Sequence, residues 1–205
     1  MRRVLTFIAA AALSVATASG QETGVGAGRV EIGGFPVGGM AFGHGSETEG
    51  PNFRNYALGA TFAVNVNKWI GFEAEIGGGV GIHHDMTFNG ATLEDQKSPN
   101  MLAYNGDLVV HVVGNDRSIA PYVVSGVGGL TLFAKPEVAN LGILNDETYF
   151  TGNVGGGVKW FATRHVGLRG DGRFIMVKSR DEAPFFSQEN NQYGARFYAG
   201  VLLTY

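Results

Sequence analysis

The chain closes on Gln192-Tyr-Gly-Ala-Arg-Phe-Tyr-Ala-Gly-Val-Leu-Leu-Thr-Tyr205. Every second residue, Tyr193, Ala195, Phe197, Ala199, Val201, Leu203 and Tyr205, is apolar or aromatic, while Gln192, Gly194, Arg196, Tyr198, Gly200, Leu202 and Thr204 fill the alternate positions. Successive side chains of a β-strand point to opposite faces, so a period of two predicts a strand with one apolar face. What that face meets decides the fold.

Composition narrows the choice. Charged residues make up 16% of the 205 residues, where a soluble domain carries about 25%. Glycine, at 33 residues, sits inside apolar runs instead of a collagen-like or linker repeat. Glycine in a strand weakens a flat sheet but permits sharp bends and close backbone approach, which a small barrel needs. A net charge of −3 without a basic stripe excludes nucleic acid as the expected partner. With no cysteine there is neither a disulfide framework nor a thiolate metal site. Met1 to Arg3 is basic, Val4 to Ala16 is uncharged and apolar, and small residues follow through Gly20. This is the pattern of a secretory signal peptide over 1–20, cut after Ala18 or Gly20; its apolar core is shorter than the roughly 20 residues of a spanning helix. Residues 21–28 are expected to be a short periplasmic tail and 29–205 one domain.

Period-two runs recur through that domain. Arg29 to Gly43 places Val30, Ile32, Pro36, Met40 and Phe42 in one parity, and Pro36 calls for a bulge. Arg54 to Asn67 sets Tyr56, Leu58, Ala60, Phe62 and Val64 against Thr61 and Asn65. Trp69 to His84 sets Ile70, Phe72, Ala74, Ile76, Val80 and Ile82 against Glu73 and Glu75. Asn100 to Val113 sets Leu102, Tyr104, Leu108 and Val110 against Asn105, Asp107 and His111. Pro121 to Ala134 carries Tyr122, Val124, Leu130 and Leu132 in one parity. Thr148 to Phe161 opposes Phe150, Val154, Val158 and Trp160 to Asn153 and Lys159; Val166 to Ser179 opposes Val166, Leu168, Phe174 and Met176 to Arg169, Asp171 and Arg173.

With the closing stretch this makes eight strands, each longer than the 9 to 11 residues that cross a bilayer at a tilt. The connections alternate long and short; Asp85 to Pro99 reads as one of four long polar loops. In outer-membrane barrels short turns face the periplasm and long loops face outside. Interfacial aromatic belts are then expected at Trp69, Tyr122, Trp160 and Tyr205 on the short-turn side and at Phe42, Tyr56, Tyr104, Phe150 and Tyr193 on the loop side.

The end of the chain resembles the terminal sorting signal of bacterial outer-membrane β-barrels, carried here by Tyr198, Gly200, Leu203 and Tyr205. In pattern the domain resembles the small eight-stranded outer-membrane barrels, the OmpA-transmembrane-domain and OmpX-like group. The resemblance implies an all-β, antiparallel, up-and-down transmembrane barrel in the bacterial outer membrane, assembled by the barrel-assembly machinery. With no wall-binding domain after Tyr205 in this sequence, the wall-tethering role of OmpA is not expected.

The polar parity turns ionisable residues inward. Glu73, Glu75, Asp107, Arg169, Asp171 and Arg173 fall at mid-depth, with Arg196 somewhat higher and Glu31, His111 and Lys159 nearer the periplasm. Eight strands enclose only enough space for side chains, so four carboxylates against three guanidiniums predict a plugging network. The expected function is therefore a non-enzymatic, structural or surface-interacting barrel without cofactor or metal. Its expected partners are outer-membrane lipid, lipopolysaccharide and an extracellular ligand at the loops, which carry an acidic excess. Three other readings compete: a small porin-like channel, a lipid-modifying enzyme, and a soluble periplasmic lipocalin-like barrel with the apolar face inside.

Two local features are weaker. His44, His83, His84 and Asp85 gather at the outer rim, but neighbouring histidines on a strand diverge and no serine stands at a recognisable partner spacing. The triplets Gly77 to Gly79 and Gly155 to Gly157 lack the lysine and helix of a phosphate loop and read as sites of backbone curvature.

Overall fold

The computed structural model describes residues 30–43, 52–88, 91–134, 145–180 and 191–205. The signal peptide, the tail, Arg29 and His44 lie outside these residues. Among the described residues ten strands form: β1 Val30–Phe42, β2 Arg54–Asn65, β3 Ile70–Gly81, β4 His83–Phe88, β5 Ala91–Lys97, β6 Met101–His111, β7 Ile119–Leu132, β8 Glu147–Phe161, β9 Val166–Val177 and β10 Gln192–Thr204. Eight close a barrel in the order β1-β10-β9-β8-β7-β6-β3-β2, and β4 and β5 pair separately. Each barrel strand pairs antiparallel with its neighbours, and β10 completes the ring against β1 from Glu31↔Thr204 to Phe42↔Gly194.

The apolar parity faces outward. Phe72 is 58% and Phe197 62% exposed, whereas Glu75 is 4% and Arg173 3% exposed. This arrangement excludes a lipocalin-like barrel, whose interior would be apolar and whose surface would be charged. Trp69, Trp160 and Tyr205 stand outward at the short-turn end, and Tyr56, Tyr104, Phe150 and Tyr193 stand outward at the other.

Two expected belt residues turn inward instead. In β1 the pairing with β10 slips between Gly34 and Val37, leaving Pro36 and Val37 exposed side by side. A bulge adds one residue to one strand and so exchanges its faces. Beyond it Met40 and Phe42 are buried in the lumen. Pro36, which has no N–H to give a ladder, sits in the bulge, and the Tyr56 hydroxyl donates to its carbonyl. In β7 the parity is the reverse of that expected: Tyr122, Val124, Leu130 and Leu132 are buried, while Val123 and Val127 are exposed. Both faces of β7 carry branched apolar residues, so hydrophobicity alone did not distinguish them.

The stretch Asp85 to Pro99 is also more ordered than a loop. The β4–β5 hairpin, with His83↔Lys97 and His84↔Gln96 in register, extends β3 beyond the barrel and carries fully buried Met86.

Candidate functional site

The lumen is filled in three layers. Nearest the short turns, Glu31 on β1 accepts hydrogen bonds from Lys159 Nζ at 2.6 Å, Asn115 Nδ2 at 2.6 Å and Asn65 Nδ2 at 2.8 Å. Lys159 also donates to His111 Nε2 at 3.0 Å. These residues come from β1, β2, β6, β8 and the turn after β6, so one carboxylate joins strands across the barrel.

At mid-depth the inward positions of β3, β6, β8, β9 and β10 converge. Arg169 forms a two-pronged pair with Glu73, whose second contact, Nη2 to Oε1, is 3.0 Å, and donates to Asp171 Oδ2 at 2.9 Å. Its Nε donates to the Tyr122 hydroxyl at 2.7 Å, which in turn donates to Asp171 Oδ2 at 2.6 Å. Arg173 reaches all four carboxylates: Asp107 at 2.6 Å, Glu73 at 2.7 Å, Asp171 at 2.8 Å and Glu75 at 3.1 Å. Arg196 closes the upper side on Glu75 through Nη1 at 2.6 Å and Nη2 at 2.8 Å, and Asn153 donates to Asp107 at 2.8 Å. The carboxylates of Glu73, Glu75 and Asp107 approach within 4.8 Å, a spacing that could hold a cation; the Arg173 guanidinium fills that place.

Above this layer the lumen is mainly apolar, with Asn55, Thr151 and Gln192 also buried there. Phe35, Met40, Phe42, Phe53, Met86, Met101, Leu130, Leu132, Tyr149, Ile175, Val177 and Tyr198 form one buried cluster that reaches the loop-side mouth. Tyr198 stacks on Phe35 at 5.4 Å between ring centroids. The low dielectric of this layer strengthens the ion pairs beneath it and makes an unpaired charge there costly.

The six charged residues expected at mid-depth, Glu73, Glu75, Asp107, Arg169, Asp171 and Arg173, and Arg196, expected somewhat higher, therefore meet in one network. Tyr122 belongs to it rather than to the aromatic belt. The turn residue Asn115 and the apolar layer were missed, because neither a turn amide reaching inward nor the β1 and β7 parities carries a local signal. The glycine triplets lie within β3 and β8 and make room for lumen side chains: a Cβ on Gly157 would lie 2.8 Å from Tyr122 Cζ and one on Gly155 3.0 Å from Arg173 Cγ.

At the outer rim His83 and His84 diverge as expected. His83 Nδ1 lies 3.2 Å from Asp95 Oδ1, both exposed, whereas His84 Nε2 lies 3.0 Å from Ser98 Oγ. Ser98 is 1% exposed and also accepts the Arg54 backbone N–H at 3.0 Å. Fourteen residues separate this histidine and serine, and the β4–β5 hairpin brings them together.

The outer membrane protein beta-barrel domain model matches residues 5–203. Among solved structures, Neisserial surface protein A is 10% identical, with 86% of this chain and 97% of that chain covered at a TM-score of 0.60. The outer membrane protein OprG from Pseudomonas aeruginosa is 16% identical, covering 88% and 97%, at a TM-score of 0.49. The N-terminal beta-barrel domain of Pseudomonas aeruginosa OprF is 13% identical, covering 87% and 98%, at 0.48. No curated protein sequence matches the chain. The family match over nearly the whole sequence agrees with the outward apolar face and the closed ring of strands: the chain belongs to the outer membrane protein beta-barrel domain family, and its place is the bacterial outer membrane.

Proposed function

We propose that this protein is a non-enzymatic outer-membrane barrel whose lumen is closed by its own side chains and whose outer end acts at the cell surface. The observation that carries this reading is Arg173, bound to four carboxylates in mid-lumen beneath a buried, mainly apolar layer. An ion entering from either side would have to part buried charge pairs or cross an apolar plug. The rim histidine and serine do not favour catalysis, because the Ser98 hydroxyl is buried and engaged by two partners. In this reading the first twenty residues serve as a cleaved export signal, and Tyr198, Gly200, Leu203 and Tyr205 serve as the signal to the barrel-assembly machinery. The outer loops meet an extracellular ligand, and the belts meet membrane lipid. Planar-bilayer recording tests the closed lumen. Purified barrel inserted in either orientation gives no discrete conductance steps; reproducible single-channel steps would overturn the proposal in favour of a small channel.

A further inference from the structure

The short-turn end of the lumen holds a lysine, a carboxyl and two carboxamides, all joined through Glu31. Its Oε2 accepts from Lys159 Nζ at 2.6 Å, and its Oε1 accepts from Asn115 Nδ2 at 2.6 Å and Asn65 Nδ2 at 2.8 Å. Amine and amide therefore sit side by side on the two oxygens of one carboxyl. The turn after β6 brings Asn115 there: Gly114 takes a φ of 83°, which glycine adopts freely, and the Asn115 N–H donates to Lys68 O at 2.7 Å. Glu31, Lys159, His111 and Asn115 are all buried. Ala120, which pairs with Lys159, forms a buried apolar cluster with Phe161 and Leu202. Asn115 Oδ1 is buried without a donor, although a buried carboxamide oxygen normally has one. His111 Nε2 lies 3.0 Å from Lys159 Nζ.

A buried amine held against a buried carboxamide by a shared carboxyl is arranged for acyl transfer between side chains, with proximity lowering the barrier. We propose that Lys159 and Asn115 are joined by an intramolecular isopeptide bond, formed once in the folded barrel with Glu31 carrying the protons. Glu31 Oε2 takes a proton from Lys159 Nζ. Rotation of the Asn115 amide exchanges Nδ2 and Oδ1, so the Glu31 O–H meets the unpartnered Oδ1 and polarises the carbonyl. The Nζ lone pair attacks Asn115 Cγ, the Nζ–Cγ bond forms, and the C=O electron pair moves onto Oδ1. His111 Nε2 relieves Nζ of a second proton as the Cγ–Nδ2 bond breaks and Nδ2 leaves as ammonia. Of the three protons that Nζ carried, one stays on the new amide, one departs with the ammonia and one remains on Glu31. Nothing is oxidised or reduced and no co-reactant is consumed. The product replaces a buried ion pair with a neutral amide and a neutral acid, which removes the cost of holding two charges away from water. Asn65, which shares Glu31 Oε1 at the longer distance, is the competing acyl donor.

Tryptic mapping of the denatured full chain, purified from outer membranes in its heat-modifiable form, tests the bond. Without it, trypsin cuts after Arg117 and Lys159 and releases the two regions separately. With it, Lys159 resists cleavage, and fragment 98–117 is recovered joined to fragment 118–164, lighter than their sum by the mass of ammonia. Asn115→Ala loses the joined fragment because it has no acyl group to give, and Glu31→Gln loses it because the proton carrier is gone. Both variants are read on protein that shifts on unboiled denaturing gels, and the wild type decides the matter even where Glu31→Gln does not fold. Separate fragments from the folded wild type would overturn the proposal. So would a linkage that survives Asn115→Ala, which would assign the bond to Asn65, or one that forms undiminished in folded Glu31→Gln. Bilayer conductance is independent of these outcomes, so failure here is distinct from failure of the closed-lumen reading.

Discussion

Arg173 Nη1 lies 2.6 Å from Asp107 Oδ2, a contact that crosses the lumen from β9 to β6 and spans 66 residues of sequence. Neither strand neighbours the other in the sheet, so this pair and its companions tie the two walls together without the backbone ladder. Removing one partner of a buried pair strands the other charge, typically at about 3 to 5 kcal/mol. Arg173 has four anionic partners, and Arg173→Ala is therefore expected to destabilise the barrel by at least that amount. A urea midpoint in micelles equal to that of wild type would show that the network contributes nothing to stability.

Tyr122 is expected to behave as a network residue. Its hydroxyl accepts from Arg169 and donates to Asp171, so Tyr122→Phe leaves Arg169 Nε without its partner. Loss of a buried hydrogen-bonding partner costs about 1 to 3 kcal/mol. The same change at Tyr104, exposed on the outer belt, should shift the midpoint by less than about 0.5 kcal/mol, as surface substitutions generally do. Equal midpoint shifts for the two variants would refute the inward placement.

The exchange of faces at the β1 bulge has its own optical signature. In a background where Trp69 and Trp160 are replaced by Phe, Phe150→Trp is expected to be strongly quenched by lipids brominated along the acyl chain, and Phe42→Trp is not. Phe42 belongs to the lumen cluster, while Phe150 is 54% exposed toward lipid. Comparable quenching at both sites would mean that β1 runs without a bulge.

Gly200 lies where β10 meets the bulge, and a Cβ there would come within 2.7 Å of Phe35 Cα. Backbone cannot yield as a flexible side chain can, so Gly200→Val is expected to block closure of the β1–β10 seam. Refolding into detergent without any assembly machinery isolates this effect from sorting. A variant that refolds to the heat-modifiable form at the wild-type yield would leave Gly200 with a signalling role alone.

Ser98 holds the root of the β4–β5 hairpin by accepting from Arg54 N and meeting His84 Nε2. Ser98→Ala should loosen the hairpin but not the barrel, seen as faster proteolytic nicking near residues 83–97 with an unchanged melting midpoint. Unchanged nicking would mean that Met86, buried in the mouth, suffices to dock the hairpin.

How much of this was readable from residues follows from where each face meets a contrasting environment. In β3 and β9 glutamates, aspartates and arginines oppose Phe72, Ile76, Leu168 and Phe174, so parity and lumen charge could be read together. In β7 Val123 and Val127 oppose Val124 and Leu130, and nothing local says which set meets lipid. In β1 the alternation is readable on each side of Pro36 but not across it, because the phase change depends on pairing with β10 and β2.

Period-two alternation, low charge and alternating connection lengths are local quantities, and by themselves they determined eight spanning strands, a lipid-facing apolar surface and an inward set of charges. The three-layered lumen, the belt residues that turned inside and the meeting of His84 with Ser98 were decided only by tertiary structure. The physical reason is that a bulge's phase, a hairpin's docking and the partner of each buried charge depend on strands far apart in sequence. Only closure of β10 on β1 brings those strands into one ring.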